Sequence, residues 1–156
     1  TGTGGRVYRA AKALLPSDTE FFMTYGDGVA NVDIAKLLRK HHAAKRLITI
    51  SAVHPASRFG ELVIKSDRVT DFHEKGIARY YINGGFMVID RAFIGKFLTS
   101  DPKMFFEQKP MHDAAAKGQM TVYRHEGFWQ CMDTPREHAL LNELWAANKA
   151  PWKPTR

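Results

Sequence analysis

Cysteine is almost missing from this chain: Cys131 is alone among 156 residues. One thiol cannot build an internal disulfide framework, and such sparing use suits a reducing compartment, the cytoplasm being the simplest. Long apolar runs are missing too. No stretch of eighteen or more hydrophobic residues occurs, which excludes a membrane-spanning helix. Internal repeats, low-complexity tracts and Ser/Gly linkers are absent, so a single domain over residues 1–156 is expected. The opening Thr1-Gly2-Thr3-Gly4-Gly5-Arg6 has neither an initiator Met nor the apolar core of a signal peptide. It reads as the interior of a longer protein.

Acidic residues are the minority: 16 against 23 basic ones, a formal net charge of +7. Such an excess attracts polyanions, whether nucleic acid, an anionic membrane surface or phosphorylated small molecules. The basic side chains are dispersed, with no run longer than a pair such as Lys45-Arg46. This speaks against a nucleic-acid stripe or a membrane-binding polybasic tail.

At 44% hydrophobic residues the chain can bury one good core. Helical spacing covers Arg6 to Leu15, with Pro16 as the stop. Glu20 to Tyr25 is a short apolar strand that breaks at Gly26-Asp27-Gly28. A helix then runs from an Asp33 cap to about His42, which places His41 and His42 on its surface. Leu47 to Val53 is β-branched and apolar, as in a strand buried on both faces. Glu61 to Lys65 and Arg68 to Phe72 form a hairpin around Ser66-Asp67. A strand from Gly85 to Ile89, a helix from Arg91 to Leu98 and a helix from Met111 to Lys117 follow, the last stopped by Gly118. Met120 to Tyr123 and Phe128 to Met132 are strands. Pro135 opens a final helix with Leu140, Leu141, Leu144 and Trp145 as its apolar stripe. Helices alternating with buried strands, then a hairpin, give an α/β chain with a mixed sheet.

Four places offer chemistry. Asp27, between two glycines at a strand end, occupies the position where open α/β sheets bind ligands; an ordinary Asp-Gly turn is the plainer alternative. Asp133 ends a second apolar strand and offers a second carboxylate for Mg²⁺, a cap for the last helix, or both. Glu74 and Lys75 close a hairpin strand, and are either a solvated pair or a sugar and phosphate contact. Asn83-Gly84 is a turn or a close backbone approach to a ligand. The glycines before Arg6 precede a helix but follow no strand, so they make a poor phosphate loop. The seven histidines show no metal-ligand spacing. Cys131 lacks a histidine base and reads as a small packed residue.

In order along the chain, Thr3-Gly4-Gly5-Arg6, Phe22 to Ala30, Arg58-Phe59-Gly60, Phe72-His73-Glu74-Lys75, Ile82 to Phe86 and Gly127 to Thr134 resemble the sugar-1-phosphate nucleotidyltransferases. Within that family they resemble the glucose-1-phosphate cytidylyltransferases. Ala150-Pro151-Trp152-Lys153 fits as well. The resemblance implies a Rossmann-like fold with a hairpin and a C-terminal helix, truncated at its N-terminal side. It implies transfer of a cytidylyl group from CTP to glucose 1-phosphate, yielding CDP-glucose and pyrophosphate for cell-surface deoxysugars. Asp27 and Asp133 match Mg²⁺ ligands, Lys75 the lysine on the sugar phosphate, and Arg6 a ligand-contacting arginine. Gly26, Glu74, Asn83 and Gly84 match substrate-binding positions. A homo-oligomer is expected. Two departures stand out: the family's Gly-rich loop and Lys-Pro segment are not in this sequence, and Gly76 replaces the proline after Glu-Lys. The first leads us to expect that residues 1–156 alone are inactive. Rival readings are a thymidylyl-, uridylyl- or guanylyltransferase, and a non-catalytic nucleotide-sugar-binding module.

Overall fold

A computed structural model describes residues 1–57, 59–74, 76 and 78–153. The first helix, α1 (Thr3–Ala10), starts ahead of the expected Arg6 and tightens into a 3₁₀ turn at Ala11–Ala13. Its early start has a tertiary cause. The Gly2 N–H donates to Pro102 O at 2.7 Å and the Gly4 N–H to Met104 O at 3.0 Å. A Cβ on Gly2 would lie 2.2 Å from that same Met104 oxygen, so only glycine permits the approach.

Strand β1 (Glu20–Thr24) follows, then the short β2 (Gly28–Ala30). Helix α2 (Ile34–Ala44) is capped as expected: the Asp33 carboxylate accepts the Lys36 N–H at 2.8 Å. Strand β3 (Ile48–Val53) is buried at every position but Ile50. The hairpin strands are β4 (Glu61–Lys65) and β5 (Arg68–His73), joined through Ser66 at φ 51°. Strand β6 (Ile82–Asp90) is longer than Gly85 to Ile89. Helix α3 (Arg91–Phe97) is capped by Asp90, whose carboxylate accepts the Ala92 N–H. Helix α4 (Lys109–Ala116) starts before Met111, with Pro110 in its first turn where a missing N–H costs nothing. Strands β7 (Met120–His125) and β8 (Trp129–Cys131) lead to helix α5 (Pro135–Ala146).

Among the described residues the strands form a four-stranded sheet in the order β1-β6-β3-β7 and two small ladders, β2-β8 and β4-β5. The architecture is α/β with a mixed sheet, as the sequence implies. β1 runs antiparallel to β6, from Glu20 opposite Asp90 to Thr24 opposite Phe86.

Two compact units are assembled from interleaved segments. The first comprises Thr1–Tyr25, Asp33–Ser51 and Gly85–Tyr123, the second Gly26–Val32, Ala52–Gly84 and Arg124–Arg156. The first unit holds the apolar core: Ile48, Met87, Ile89, Phe93, Phe97, Leu98, Phe106 and Ala114. The Phe93 ring centre lies 4.9 Å from that of Phe97 and 5.6 Å from that of Phe106, the spacing of attractive tilted ring pairs. Gly85 has a φ of 78°, and a Cβ there would meet the Tyr25 ring at 2.8 Å, so this position admits glycine alone.

Two expectations need correction. His41 is not on the surface of α2 but buried, its Nδ1 2.8 Å from Thr49 Oγ1; only His42 is exposed. The stripe proposed for α5 is also too wide. Leu141 is buried while Leu140 and Trp145 are exposed; Leu140 points about 100° away from Leu141, so one contact face cannot cover both. The Trp145 ring instead carries Lys153 Nζ 4.0 Å from its centre.

Candidate functional site

The second unit gathers most of the residues singled out above, and the β2-β8 ladder is its organising element. The ladder is antiparallel, pairing Gly28 with Cys131, Val29 with Gln130 and Ala30 with Trp129. One step beyond, the Met132 N–H donates to Asp27 O at 2.8 Å. Asp27 and Asp133 therefore stand at adjoining ends of two paired strands, although 106 positions part them in the sequence. Both are exposed, as is Gly26.

The cap expected of Asp133 is made by its neighbour. Thr134, not Asp133, caps the helix: its hydroxyl accepts the Glu137 N–H, completing a reciprocal capping box. The Glu137 carboxylate accepts the N–H of Thr134 and of Asp133, each at 2.9 Å. The Asp133 backbone is pinned while its carboxylate is left out of the cap. Glu137 was not singled out from the sequence, though Thr134-Pro135-Arg136-Glu137 is the capping-box spacing and was there to be read.

Cys131, Asp133 and Glu137 form a cluster whose ligand-type atoms all lie within 4.8 Å of one another. Burial, with Glu137 and Asp133 adding to it, pushes the Cys131 thiol up to about 11. A thiol that keeps its proton at neutral pH is a poor nucleophile, which agrees with a packing role for Cys131. The carboxylates of Asp27 and Asp133 are the hard oxygen donors that suit Mg²⁺, which takes one or two carboxylates and keeps its waters.

Gly84 joins the ladder through Trp129, whose indole N–H donates to Gly84 O at 2.8 Å. Asn83 and Gly84 lie within β6, not in a turn, and Gly84 is buried. Beside them a polar network escaped the sequence reading. Tyr81 O–H donates to Glu126 Oε1 at 2.6 Å, His54 Nε2 lies 3.3 Å from Glu126 Oε2, and the His54 and Tyr81 ring centres are 4.1 Å apart. Residues so distant in sequence carry no local pattern to find them by.

Glu74 is exposed just after β5. Its loop is tethered by the Ser57 N–H to Gly76 O at 2.7 Å and the Ala78 N–H to Pro55 O at 2.9 Å. Lys75 lies outside the described residues, as does Arg58. Arg6 belongs to the first unit, exposed on α1, with its Nε donating to Thr1 O at 3.0 Å.

The α/β fold is shared with nucleotidyltransferases. HddC from Yersinia pseudotuberculosis superposes with a TM-score of 0.65, at 22% identity over 92% of this chain and 62% of its own. That protein has also been solved in complex with GMP-PN. Within this class, the sequence is similar to glucose-1-phosphate cytidylyltransferases. The enzyme of that name from Salmonella typhimurium is 40% identical over 152 residues, as is that of Salmonella typhi. Each match covers 97% of this chain but 58% of the relative, so the chain spans little more than half the length of the curated proteins it matches. No family model matches the sequence.

Proposed function

We propose that this chain forms the metal-binding and sugar-phosphate-binding part of a cytoplasmic glucose-1-phosphate cytidylyltransferase. In that reaction a phosphate oxygen of glucose 1-phosphate attacks the α-phosphorus of CTP. The bond from the α-phosphorus to the bridging oxygen breaks, pyrophosphate leaves, and CDP-glucose remains. The observation that carries the reading is the β2-β8 ladder, which brings Asp27 beside Asp133 in a chain whose relatives bear this name. These two carboxylates would hold Mg²⁺, which neutralises phosphate charge when bound. Lys75 draws in the sugar phosphate as a point charge, and Arg6, in the first unit, matches a ligand-contacting arginine of the family. Glu74, Asn83, and the backbone of Gly26 and Gly84 orient the sugar. Trp129 holds the Gly84 strand against the ladder, and Glu137 fixes the Asp133 backbone. Catalysis of this kind is chiefly positioning and charge stabilisation, and no enzyme nucleophile is required.

A related nucleotide is the second reading, favoured by the GMP-PN complex of the structurally similar HddC. Turnover of CTP, UTP, dTTP and GTP with glucose 1-phosphate and Mg²⁺, by the protein that carries this chain, separates the two. CDP-glucose as the dominant product is expected. Preference for another nucleotide replaces the cytidylyl assignment, and no nucleotide sugar from any of the four removes the catalytic reading.

A further inference from the structure

The His54–Glu126–Tyr81 network adjoins the residues given to the sugar, and the reaction as written makes no use of it. Tyr81 precedes β6 by one residue, and Asn83 and Gly84 are the second and third residues of that strand. Tyr81 O–H donates to Glu126 Oε1 at 2.6 Å, and the Trp129 indole N–H donates to Gly84 O at 2.8 Å. Residues 81 and 84 are thus gripped by residues 126 and 129. One short segment, where β7 passes into β8, holds another that is remote in sequence.

A grip positions only if its support is fixed. The Phe128 carbonyl accepts the Asn31 N–H at 3.2 Å and lies 3.1 Å from Nε2 of the buried His125. A Cβ on Gly127 would come within 2.6 Å of Asn31 Oδ1, so the backbone next to Glu126 packs closely on residue 31. His54 completes the Tyr81 end. Its Nδ1 donates to the Tyr80 carbonyl at 3.1 Å, its Nε2 lies 3.3 Å from Glu126 Oε2, and its ring centre is 4.1 Å from that of Tyr81. The bond to Glu126 holds the Tyr81 phenol above its ordinary 10, so the hydroxyl keeps its proton and donates at neutral pH.

Tyr81 and Glu126 are both exposed. Polar pairs between exposed side chains add little to overall stability. Their consequence is local: a directed bond fixes where the chain beside it lies, and here that chain is Asn83 and Gly84. We propose that Glu126 and Tyr81 are positioning residues for glucose 1-phosphate, acting through Asn83 and Gly84, which they hold in register with the strand that leads to Asp133. This deepens the function proposed above and rests on it.

Steady-state kinetics of the protein that carries this chain test the role, with glucose 1-phosphate and CTP varied in turn. Tyr81→Phe deletes one hydroxyl. It should raise KM for glucose 1-phosphate about tenfold, the lower end for a group that supports a ligand, and leave KM for CTP within about twofold. Glu126→Ala should raise the first KM at least as much. Adding Tyr81→Phe to Glu126→Ala should cost nothing further, because both break the same bond. Glu126→Gln keeps an acceptor for the hydroxyl and should recover most of the loss. Urea midpoints of all four should stay near that of the wild type. Equal rises in both KM values, or losses that add in the double variant, overturn the proposal. So do unchanged KM values in variants of a protein that makes CDP-glucose, a result that leaves the reaction itself standing. A wild type that makes no nucleotide sugar removes the reaction and this role together.

Discussion

The two units of this chain are held together by different chemistry. The first buries a continuous set of large apolar side chains, with Phe93 and Phe106 fully enclosed. In the second, the buried hydrophobic residues among those described are Ala52, Val53, Ala78, Leu141 and Ala150, mostly small. Its order comes from directed contacts instead: the Trp129 bond to Gly84, the His54–Glu126–Tyr81 network, the capping box of α5, and the Phe128 and Trp152 rings stacked 5.2 Å apart. Hydrophobic burial stabilises without specifying direction, whereas hydrogen bonds fix where individual groups point. The unit with the weaker core carries Asp27, Glu74, Asn83, Gly84 and Asp133. The proposed binding residues Asp27, Glu74 and Asp133 are exposed, and the unit that presents them has the smaller core.

If the contrast is sound, substitutions in the two units should fail in different ways. Phe93→Ala removes a ring packed between two others and should destabilise the protein by about 3–5 kcal/mol. Urea unfolding should show the loss, and turnover per folded molecule should stay close to wild type. Asp27→Asn should do the reverse. On the proposed assignment it removes one anionic ligand from Mg²⁺, and turnover at limiting Mg²⁺ should fall by at least about a hundredfold, since even a ligand's supporting partner can be worth that much. Its urea midpoint should not move. A stability loss in Asp27→Asn comparable with that of Phe93→Ala would erase the distinction.

Thr134→Ala tests the directed contacts themselves. Losing an N-cap hydroxyl typically costs about 1 kcal/mol, and in this case the cap also positions the backbone beside Asp133. The variant should therefore lose a little stability and also bind Mg²⁺ less well, by a metal titration followed through turnover. Thr134→Ser should recover both. A stability loss with unchanged Mg²⁺ dependence would confine the capping box to helix stability.

How far the sequence could be read follows the same division. Signals that act within a few residues are legible: the Asp33 cap, the β-rich and mostly apolar β3, the turn at Ser66 and Pro135 at the start of α5. Signals that depend on distant partners are not. The three residues of β2 look like the rest of a turn until Trp129-Gln130-Cys131 pairs with them. The glycines at the start of α1 argue against a helix until the backbone of residues 102–104 packs on them. The site shows both sides of this. Asp27 and Asp133 were each visible as a carboxylate at a strand end, but their adjacency lies in the ladder. Asn83-Gly84 resembles a turn in the sequence because no local signal shows that β6 already begins at Ile82.

His41 gives the smallest effect and the finest test, because here the core-rich unit encloses a titratable group. Burial holds the His41 imidazole below its ordinary 6.5, and the attraction of Glu20 3.8 Å from Nε2 offsets only part of this. The charged groups around it act in opposite directions: Glu20 and Asp90 favour the proton, and His42 opposes it. The neutral ring lies 2.8 Å from the Thr49 hydroxyl. The folded state therefore takes up this proton less readily than the unfolded chain, in which the group titrates near 6.5. Its contribution to stability is complete above that pH and declines as the pH falls through it towards the lower folded value. Urea unfolding of the wild type between pH 8 and pH 5, beside that of His41→Asn, isolates the effect. The wild type should lose stability more steeply with acidification than the variant. Parallel pH profiles would mean that His41 keeps its ordinary affinity for a proton inside the fold, and that burial in this unit is looser than its packing indicates.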